Sequence, residues 1–319
     1  MHPFTSQRSA SVSALGETRL IAQIQRWLGS ASPRTPFGIG DDCAVVPASR
    51  HAQLVTVDPV IYGEHFDDTV PPRAAGAKLL KRNLSDIAAM GGRPRAAVIA
   101  LALDGRVKTA WLENFYRGLA AEARRFGVPI VGGDVARQNG GIVATLTLMG
   151  EAAGRRALTR HGAKRGDWIY VTGSLGGSIR GHHHRFTPRL KEGAWLAARP
   201  DVHSLMDVSD GIARDLRALT PAKCIPQIMA AAVPISAGAR AESRRTGRAA
   251  LDHALSDGED YELLFTVSER ADLTRFEAAW KRAFSTRLSC LGRFTAAGGP
   301  VPTGAIDLAR HHGYEHLQA

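Results

Sequence analysis

The sequence predicts an α/β protein built from two α/β domains. Short apolar segments typical of buried strands alternate with amphipathic helices in both halves of the chain. The length of 319 residues exceeds the usual extent of a single hydrophobic core. Apolar residues make up 44 % of the chain, which is enough for two cores and too many for a disordered protein. We therefore expect one domain over residues 1–150 and a second over residues 151–319.

The first half begins with a predicted amphipathic helix over residues 17–29, in which Leu20, Ile24 and Leu28 share one side. Two apolar strands should follow, at 43–46 and at 54–57, the second ending at Asp58. The other elements expected here are a helix at 73–92 stopped by Gly91 and Gly92, a buried strand at 94–103, a helix at 109–127 with Thr109 as its N-cap, and strands at 128–131 and 141–151.

The second half repeats the alternation. The predicted elements are a strand at 166–173, a helix at 187–199, a strand, turn and helix over 203–219, a strand at 260–267, a helix at 271–284 and a pair of strands near 285–294. Residues 221–257 show a less regular pattern.

The charge and the cysteines limit the class of protein. Lys and Arg number 41 against 30 Asp and Glu, so the net charge is +11. The positive residues are scattered without a basic block interleaved with aromatic residues, which favours phosphorylated metabolites over nucleic acid as partners. Cys43, Cys224 and Cys290 form no CxxC pair and are interpreted as buried thiols of a reducing cytoplasm.

No segment has the character of a membrane or secretion signal. The longest uncharged apolar stretch, residues 96–103, is far too short to cross a bilayer. The first twenty residues contain no apolar core of signal-peptide length. We expect a soluble, cytoplasmic protein.

Most of the aspartates of interest lie at the ends of predicted strands, beside Gly, Ser or Thr, whereas Asp86 lies on the predicted helix at 73–92. In GIGDDCAVV, two of them are adjacent and should repel each other unless a cation lies nearby. Strand ends are where α/β proteins bind ligands, and an oxygen-only donor set suits Mg²⁺, which commonly accompanies phosphates. The aspartates concerned are Asp41, Asp42, Asp58, Asp86, Asp134, Asp207 and Asp210.

Each aspartate also has a purely structural interpretation. An Asp after a strand commonly forms a turn or an N-cap, and Asp210 could cap the helix that follows it. The sequence has no P-loop and no protein-kinase signature. The glycine-rich stretch VTGSLGGSIRG is weak evidence for phosphate binding, and His182–His184 are interpreted as part of a solvated loop.

Seven blocks together resemble the thiamine-monophosphate kinase family, in the superfamily of aminoimidazole ribonucleotide synthetase. They cover most of residues 17–270 in family order and are GIGDDCAVV, VTVDPVIYGEHF, NLSDIAAMGGRPRAAVIALAL, FYRGLAAEARRFGVPIVGGDVAR, GRRALTRHGAKRGDWIYVTG, MDVSDGIARDL and SDGEDYELLFTV. NLSDIAAMG and GEDYELLFTV are specific, and GYEH follows near the end of the chain.

The resemblance implies a PurM-like architecture and direct transfer of the γ-phosphoryl group of ATP to thiamine monophosphate, with several Mg²⁺ ions. It implies a homodimer in which the N-terminal domains pair into a β-barrel. The N-terminal domain would bind ATP and Mg²⁺ and form the dimer, and residues 151–319 would form the C-terminal α/β domain.

The resemblance also implies roles for individual residues. Metal ligands are expected at Asp41, Asp42, Thr56, Asp58, Asp86, Asp134, Asp207 and Asp210, of which Asp41, Asp134 and Asp210 are the expected catalytic positions. Nucleotide contacts are expected at Tyr116, Gly133, Asp134, Arg160 and Ser209, and thiamine phosphate contacts at His65, Glu259 and Tyr314.

Three positions depart from the family pattern. Val57 and Pro59 stand where the family usually has threonines, and Asp257 stands where it usually has glycine, which adds a charge near Glu259. The alternatives are a related ATP-dependent synthetase with another acceptor and a non-enzymatic dimeric binding protein. One example of the first, selenophosphate synthetase, usually carries a reactive Cys or selenocysteine in a glycine-rich N-terminal segment, whereas Cys43, the nearest cysteine, falls in the strand predicted after GIGDD. The second would leave the matched aspartates unexplained.

Overall fold

The computed structural model describes residues 1–34, 37–39, 43–154 and 156–315. It divides into two compact units, the first comprising Met1–Ile87 with Arg93–Glu151 and the second Ala88–Gly92 with Ala152–Ala319. No helix among the described residues combines the length and the apolar character needed to cross a membrane.

The first unit contains a mixed four-stranded sheet in the order β1-β4-β2-β3. β1 and β4 pair antiparallel, and β2 and β3 pair in parallel. The elements are α1 Glu17–Leu28, β1 Gln53–Ile61, α2 Pro72–Ala89, β2 Gly92–Leu103, α3 Thr109–Phe126, β3 Ile130–Arg137 and β4 Ile142–Ala152.

Helix α2 lies on one face of this sheet. In β4 the residues on that face are buried, as Leu146 and Leu148 illustrate, whereas their neighbours are only half-buried. The period of two places every second side chain under the helix. Gly150 of β4 leaves room for Ile87 of α2, since a Cβ at this glycine would lie 2.8 Å from the Ile87 Cδ1 atom.

Helices α2 and α3 approach each other closely through two glycines. A Cβ at Gly118 would lie 1.9 Å from the backbone oxygen of Arg73, and one at Gly76 would lie 2.0 Å from that of Phe115. Only residues without a side chain permit this backbone contact. The contact holds α3 against the helix that carries Asp86.

Four predictions for the first unit are wrong. Residues 43–46 form no strand, and Cys43 is exposed rather than buried. Asp58 lies inside β1, which continues to Ile61, because the apolar pattern resumes after it. Lys108, not Thr109, is the N-cap of α3, and it makes no side-chain capping bond.

The second unit contains a five-stranded sheet in the order β6-β8-β5-β9-β7, in which neighbouring strands pair antiparallel. Its elements are β5 Trp168–Thr172, α4 His182–Arg185, α5 Leu190–Ala197, β6 Val202–Asp207, α6 Ile212–Leu219, β7 Cys224–Ile228, α7 Ala237–Thr246, α8 Ala250–Ser256, β8 Leu263–Val267, α9 Leu273–Ala283 and β9 Leu288–Ala296.

Helices cover both faces of the second sheet. Ile169 of β5 packs in a core with Leu216 of α6, whereas the adjacent Tyr170 packs in a separate core with Trp280 of α9. Strands buried on both faces carry apolar residues at consecutive positions, as Leu263, Leu264 and Phe265 of the fully buried β8 illustrate. The α/β class expected from the alternating pattern is confirmed in both units.

The irregular stretch at 221–257 contains β7, α7 and α8, which the sequence pattern did not resolve. The pair of strands expected near 285–294 is the single strand β9. Residues 182–185 form a short helix rather than a solvated loop, and His183 within it is buried.

Replacing Gly118 by Ala tests the close contact between α2 and α3. Helix propensity alone would stabilise the protein by about 1 kcal/mol, but the clash with the Arg73 carbonyl should lower the free energy of unfolding by about 2 kcal/mol. Urea unfolding monitored by circular dichroism gives the value. The control is Ala121→Gly at an exposed position of α3, where a loss of about 1 kcal/mol is expected. A Gly118→Ala protein as stable as the wild type would contradict the contact.

Candidate active site

The first unit brings two of the expected metal ligands together. Thr56 on β1 and Asp86 on α2 meet where this helix crosses the strand, and the Thr56 hydroxyl donates a hydrogen bond to the Asp86 Oδ2 atom over 2.5 Å. Asp58 follows Thr56 by two residues and therefore lies on the same face of β1. A hydroxyl and two carboxylates thus lie along one side of the strand.

Arg82 lies beside these carboxylates on the same helix as Asp86. Its Nη2 atom is 3.6 Å from the Asp58 Oδ1 atom, and its Nη1 atom donates to the Pro59 carbonyl over 2.8 Å. The arginine side chain is mostly buried. A guanidinium group held in this way offsets part of the local negative charge.

The departures at Val57 and Pro59 leave the Thr56–Asp86 contact intact. Val57 lies on the opposite face of β1, where its side chain is 57 % exposed. The hydroxyl that a threonine would carry at position 57 would therefore point away from the Thr56 side chain. Pro59 lacks an N–H group, but its carbonyl is bonded to Arg82.

Three residues expected to bind the nucleotide surround one cavity. Tyr116 of α3 and Gly133 and Asp134 of β3 line a cavity of about 70 Å³, together with apolar residues of α1 that include Ile24. Gly133 is required by close packing, because a Cβ would lie 2.1 Å from the carbonyl oxygen of Ile99. Burial raises the pKa of Tyr116, so its hydroxyl stays protonated.

The fold does not bring Asp134 to the Thr56–Asp86 pair. β1 and β3 occupy opposite edges of the sheet, with β4 and β2 between them. Three interstrand spacings amount to roughly 14 Å, more than one metal ion can bridge. Asp134 is also inside β3 rather than at its end.

His65 follows β1 in a turn, where its Nδ1 atom accepts the Ile61 N–H over 3.2 Å and its carbonyl accepts from the buried Lys78 over 2.8 Å. This anchors the backbone of the expected substrate residue. Asp41 and Asp42 lie outside the described residues.

In the second unit, residues expected to contact metal, nucleotide and acceptor lie side by side. Asp207 ends β6, and Ser209 and Asp210 form the turn before α6. The Glu259 N–H donates to the Ser209 carbonyl over 2.7 Å. The segment before β8 is thereby bonded to the turn after β6.

Tyr314 joins the same turn. Its N–H donates to the Asp210 carbonyl over 2.8 Å, and its carbonyl accepts a hydrogen bond from the Arg214 guanidinium. Arg214 also lies 3.5 Å from the Asp210 carboxylate. The Tyr314 side chain is 48 % exposed, so its ring is accessible to a ligand.

Asp215 is a member of this acidic group that the sequence analysis missed. Its carboxylate accepts the Asp210 N–H over 3.1 Å and is almost fully buried in α6. Burial, and then the charges of Asp207 and Asp210, raise the pKa of Asp215 to about 8. No sequence signal marked Asp215, because its burial depends on the packing of α6. The N-cap of this helix is Gly211 and not Asp210.

The additional carboxylate at Asp257 is engaged by contacts within the second unit. Its carboxylate lies 2.9 Å from the Nδ1 atom of the buried His253 and accepts the Gly177 N–H over 2.9 Å. The adjacent Gly176 N–H donates to Asp260 over 2.8 Å. Two amides of the glycine-rich loop are thus bonded to carboxylates of the chain, which argues against phosphate binding by those amides.

Arg160 is exposed in the segment before β5. No described contact draws its side chain toward another group of the second unit. Its expected role at the nucleotide stays a prediction.

The donor atoms in both units suit Mg²⁺, since they are hydroxyl and carboxylate oxygens. Within the described ranges, however, no group of three or more His, Cys, Asp or Glu residues is arranged to hold a metal ion. In the first unit the described donors are Thr56, Asp58, Asp86 and, at the opposite edge of the sheet, Asp134, whereas Asp41 and Asp42 lie outside the described residues. The second unit contributes Asp207 and Asp210.

The comparisons with known proteins identify the chain as a protein of the aminoimidazole ribonucleotide synthetase class. Residues 40–152 match the family described as AIR synthase related protein, N-terminal domain. Among curated proteins, the thiamine-monophosphate kinase of Rhodopirellula baltica is 37 % identical over 246 residues, covering 74 % of this chain and 77 % of the relative. That of Escherichia coli K12 is 38 % identical over 280 residues, covering 80 % and 84 %. The chain belongs to the thiamine-monophosphate kinase family.

A solved structure extends the similarity over nearly the whole chain. AaThiL complexed with AMPPCP and TMP superimposes with a TM-score of 0.72 at 27 % sequence identity, covering 98 % of this chain and 100 % of that one. The resemblance of the seven sequence blocks to the family is confirmed.

Proposed function

We propose that this chain transfers the γ-phosphoryl group of ATP to the phosphate of thiamine monophosphate, giving thiamine diphosphate and ADP. The observation that carries the proposal is the cluster in the second unit, where the backbone of Ser209 accepts from Glu259 and that of Asp210 accepts from Tyr314. Ser209, expected at the nucleotide, lies in this turn, and Glu259 and Tyr314, expected at the acceptor, are hydrogen-bonded to it. The curated relatives carry the name of this activity, and AaThiL binds an ATP analogue together with TMP.

The chemistry required is mainly electrostatic. The donor and the acceptor are both phosphates, so the reaction brings several negative charges together. Mg²⁺ ions, when bound, neutralise these charges. The chain contributes carboxylates to hold the ions and a rigid turn that orients the acceptor in line with the γ-phosphorus atom. The attacking phosphate oxygen is largely ionised at neutral pH, so no strong general base is needed.

We assign the residue roles accordingly. Metal ligands are Asp41, Asp42, Thr56, Asp58, Asp86, Asp134, Asp207 and Asp210; nucleotide contacts are Tyr116, Gly133, Asp134, Arg160 and Ser209; acceptor contacts are His65, Glu259 and Tyr314. Tyr116, Gly133 and Asp134 lie around one small cavity, and this proximity supports a shared role for the three residues. The Thr56–Asp86 hydrogen bond supports the metal assignment.

We further propose that the first unit forms a homodimer whose sheets pair into a β-barrel. The face of β1 opposite α2 exposes Val55 and Val57, at 69 % and 57 %. Large exposed apolar side chains on an edge strand are typical of an interface. A partner copy would also supply a second Asp134, which the single chain places at the far edge of the sheet from Thr56.

A cytoplasmic location agrees with the free thiols. Cys43, Cys224 and Cys290 form no disulfide, although Cys43 is exposed. Exposed thiols persist in reducing compartments.

The reaction is tested by measuring thiamine diphosphate and ADP after incubation with ATP and thiamine monophosphate, with Mg²⁺ or with EDTA. Equal amounts of the two products, formed only with Mg²⁺, are expected. ATP consumption without thiamine diphosphate would instead indicate another acceptor. Absence of ATP turnover over a range of Mg²⁺ concentrations and pH would contradict a kinase.

Replacing Thr56 by Val should weaken Mg²⁺ binding, because the substitution removes one hydroxyl without changing the side-chain volume. We expect the Mg²⁺ concentration for half-maximal rate to rise about 10-fold, with a matching loss in calorimetric titration of Mg²⁺. The control is Val57→Thr, which restores the usual family residue on the opposite face and should leave both values unchanged. Equal effects of the two substitutions would disprove the assignment of Thr56.

Replacing Val55 by Asp tests the homodimer. The aspartate charge would be buried in the proposed interface and would destabilise it. Analytical ultracentrifugation at micromolar concentration should therefore show a dimer for the wild type and a monomer for Val55→Asp. Ala121→Asp, at an exposed position of α3, serves as the control for added charge. A wild-type protein that sediments as a monomer would refute the interface.

A further inference from the structure

The segment His182–Phe186 packs against the residues that carry Glu259. Its short helix α4 is followed by Phe186, and His183 within it is only 6 % exposed. We call this segment the histidine segment. Nothing in the assigned roles uses it, although three consecutive histidines occur there.

Two contacts hold the histidine segment against the residues that follow Glu259, one to a ring and one to a backbone carbonyl. The Phe186 ring stacks on the Tyr261 ring, with centroids 4.0 Å apart and planes inclined by 19°. The His182 Nε2 atom lies 3.0 Å from the Asp260 carbonyl oxygen, to which it donates. Stacking and hydrogen bonding on both sides of Asp260 limit the movement of this stretch.

Each carboxylate oxygen of Glu259 lies near one side chain, that of Tyr261 or that of His183. The Tyr261 hydroxyl donates to the Oε1 atom over 3.1 Å. The His183 Nδ1 atom lies 3.6 Å from the Oε2 atom. The other nitrogen of His183 lies 3.1 Å from the His184 Nδ1 atom, so the His183 ring is itself held in orientation.

The backbone around Glu259 is strained. Glu259 and Tyr261 adopt φ angles of +53° and +51° in the left-handed region, which residues with a side chain seldom occupy. Such conformations persist where the surroundings enforce them, and they concentrate at functional sites. Here the backbone bonds to the turn after β6 and the stack on Phe186 provide that enforcement.

We infer that Tyr261 and His183 are positioning residues, which orient the Glu259 carboxylate toward the acceptor. Thiamine monophosphate offers such a carboxylate a cationic thiazolium ring and an aminopyrimidine ring. The inference rests on the proposed function, since it assumes that Glu259 contacts thiamine monophosphate. A carboxylate oriented before the ligand arrives loses less side-chain freedom on binding. Acceptor affinity should therefore depend on groups that do not touch the acceptor.

The sharpest test is Tyr261→Phe, which deletes the hydroxyl and retains the ring that stacks on Phe186. The KM for thiamine monophosphate should rise about 10-fold, while kcat and the KM for ATP stay within about 2-fold. Calorimetric titration with thiamine monophosphate should give the same loss in Kd. The matched control is Tyr170→Phe, because the Tyr170 ring stacks on Phe265 and its hydroxyl donates to Glu277 over 2.9 Å. This control should lower stability without changing the KM.

A second pair of variants tests His183. His183→Asn keeps an N–H group near the position of Nδ1 and should retain most of the affinity, whereas His183→Leu should raise the KM for thiamine monophosphate about 10-fold. Unchanged KM values in Tyr261→Phe and His183→Leu, with an active wild type, would overturn the inference alone. A wild type that neither binds nor phosphorylates thiamine monophosphate would overturn the proposed function and this inference with it.

Discussion

The hydrogen bonds that extend the β6–β8 pairing beyond the sheet hold the second unit's part of the candidate site together. Tyr261 donates to the Val208 carbonyl, Val208 donates to the Glu262 carbonyl, and Glu259 donates to the Ser209 carbonyl. The register of two neighbouring strands therefore sets the distance between the turn after β6 and the segment before β8. Antiparallel strands transmit such a register over several residues.

Electrostatic repulsion is the second constraint on this site. Asp207, Asp210 and Asp215 lie close enough for the first two to raise the pKa of the third. A protein that gathers carboxylates in this way stabilises itself either by keeping one of them protonated or by binding cations. In the first unit, Arg82 beside Asp58 provides a built-in cation. Both arrangements suit a site that receives Mg²⁺ with phosphates.

The three departures from the family pattern are accommodated locally. Val57 lies on the face of β1 away from Thr56, and the carbonyl of Pro59 is bonded to Arg82. The Asp257 carboxylate contacts His253 and the Gly177 N–H group, so it is engaged by neighbours other than Glu259, two positions further on. These positions therefore change the surroundings of the site and preserve the described contacts within it.

Much of the fold could be predicted from periodicity, because α1, α3 and β4 bury one side in a regular repeat and end at glycines or turns. Residues 43–46 were mispredicted as a strand, and the elements of residues 221–257 were left unresolved, because short apolar runs and short helices lack enough repeats to reveal their type. Asp215 was missed because its burial depends on the packing of α6 and leaves no mark on the local pattern.

By itself, the sequence determined the α/β class, the family and the identity of the aspartates, since these depend on local pattern and on residue type. Only the tertiary structure decided which of those residues meet. It paired Thr56 with Asp86 and separated them from Asp134 by the width of a sheet. It also placed His183 beside Glu259, 76 positions further along the chain. Contacts between distant positions follow from strand order and helix packing, which local periodicity does not encode.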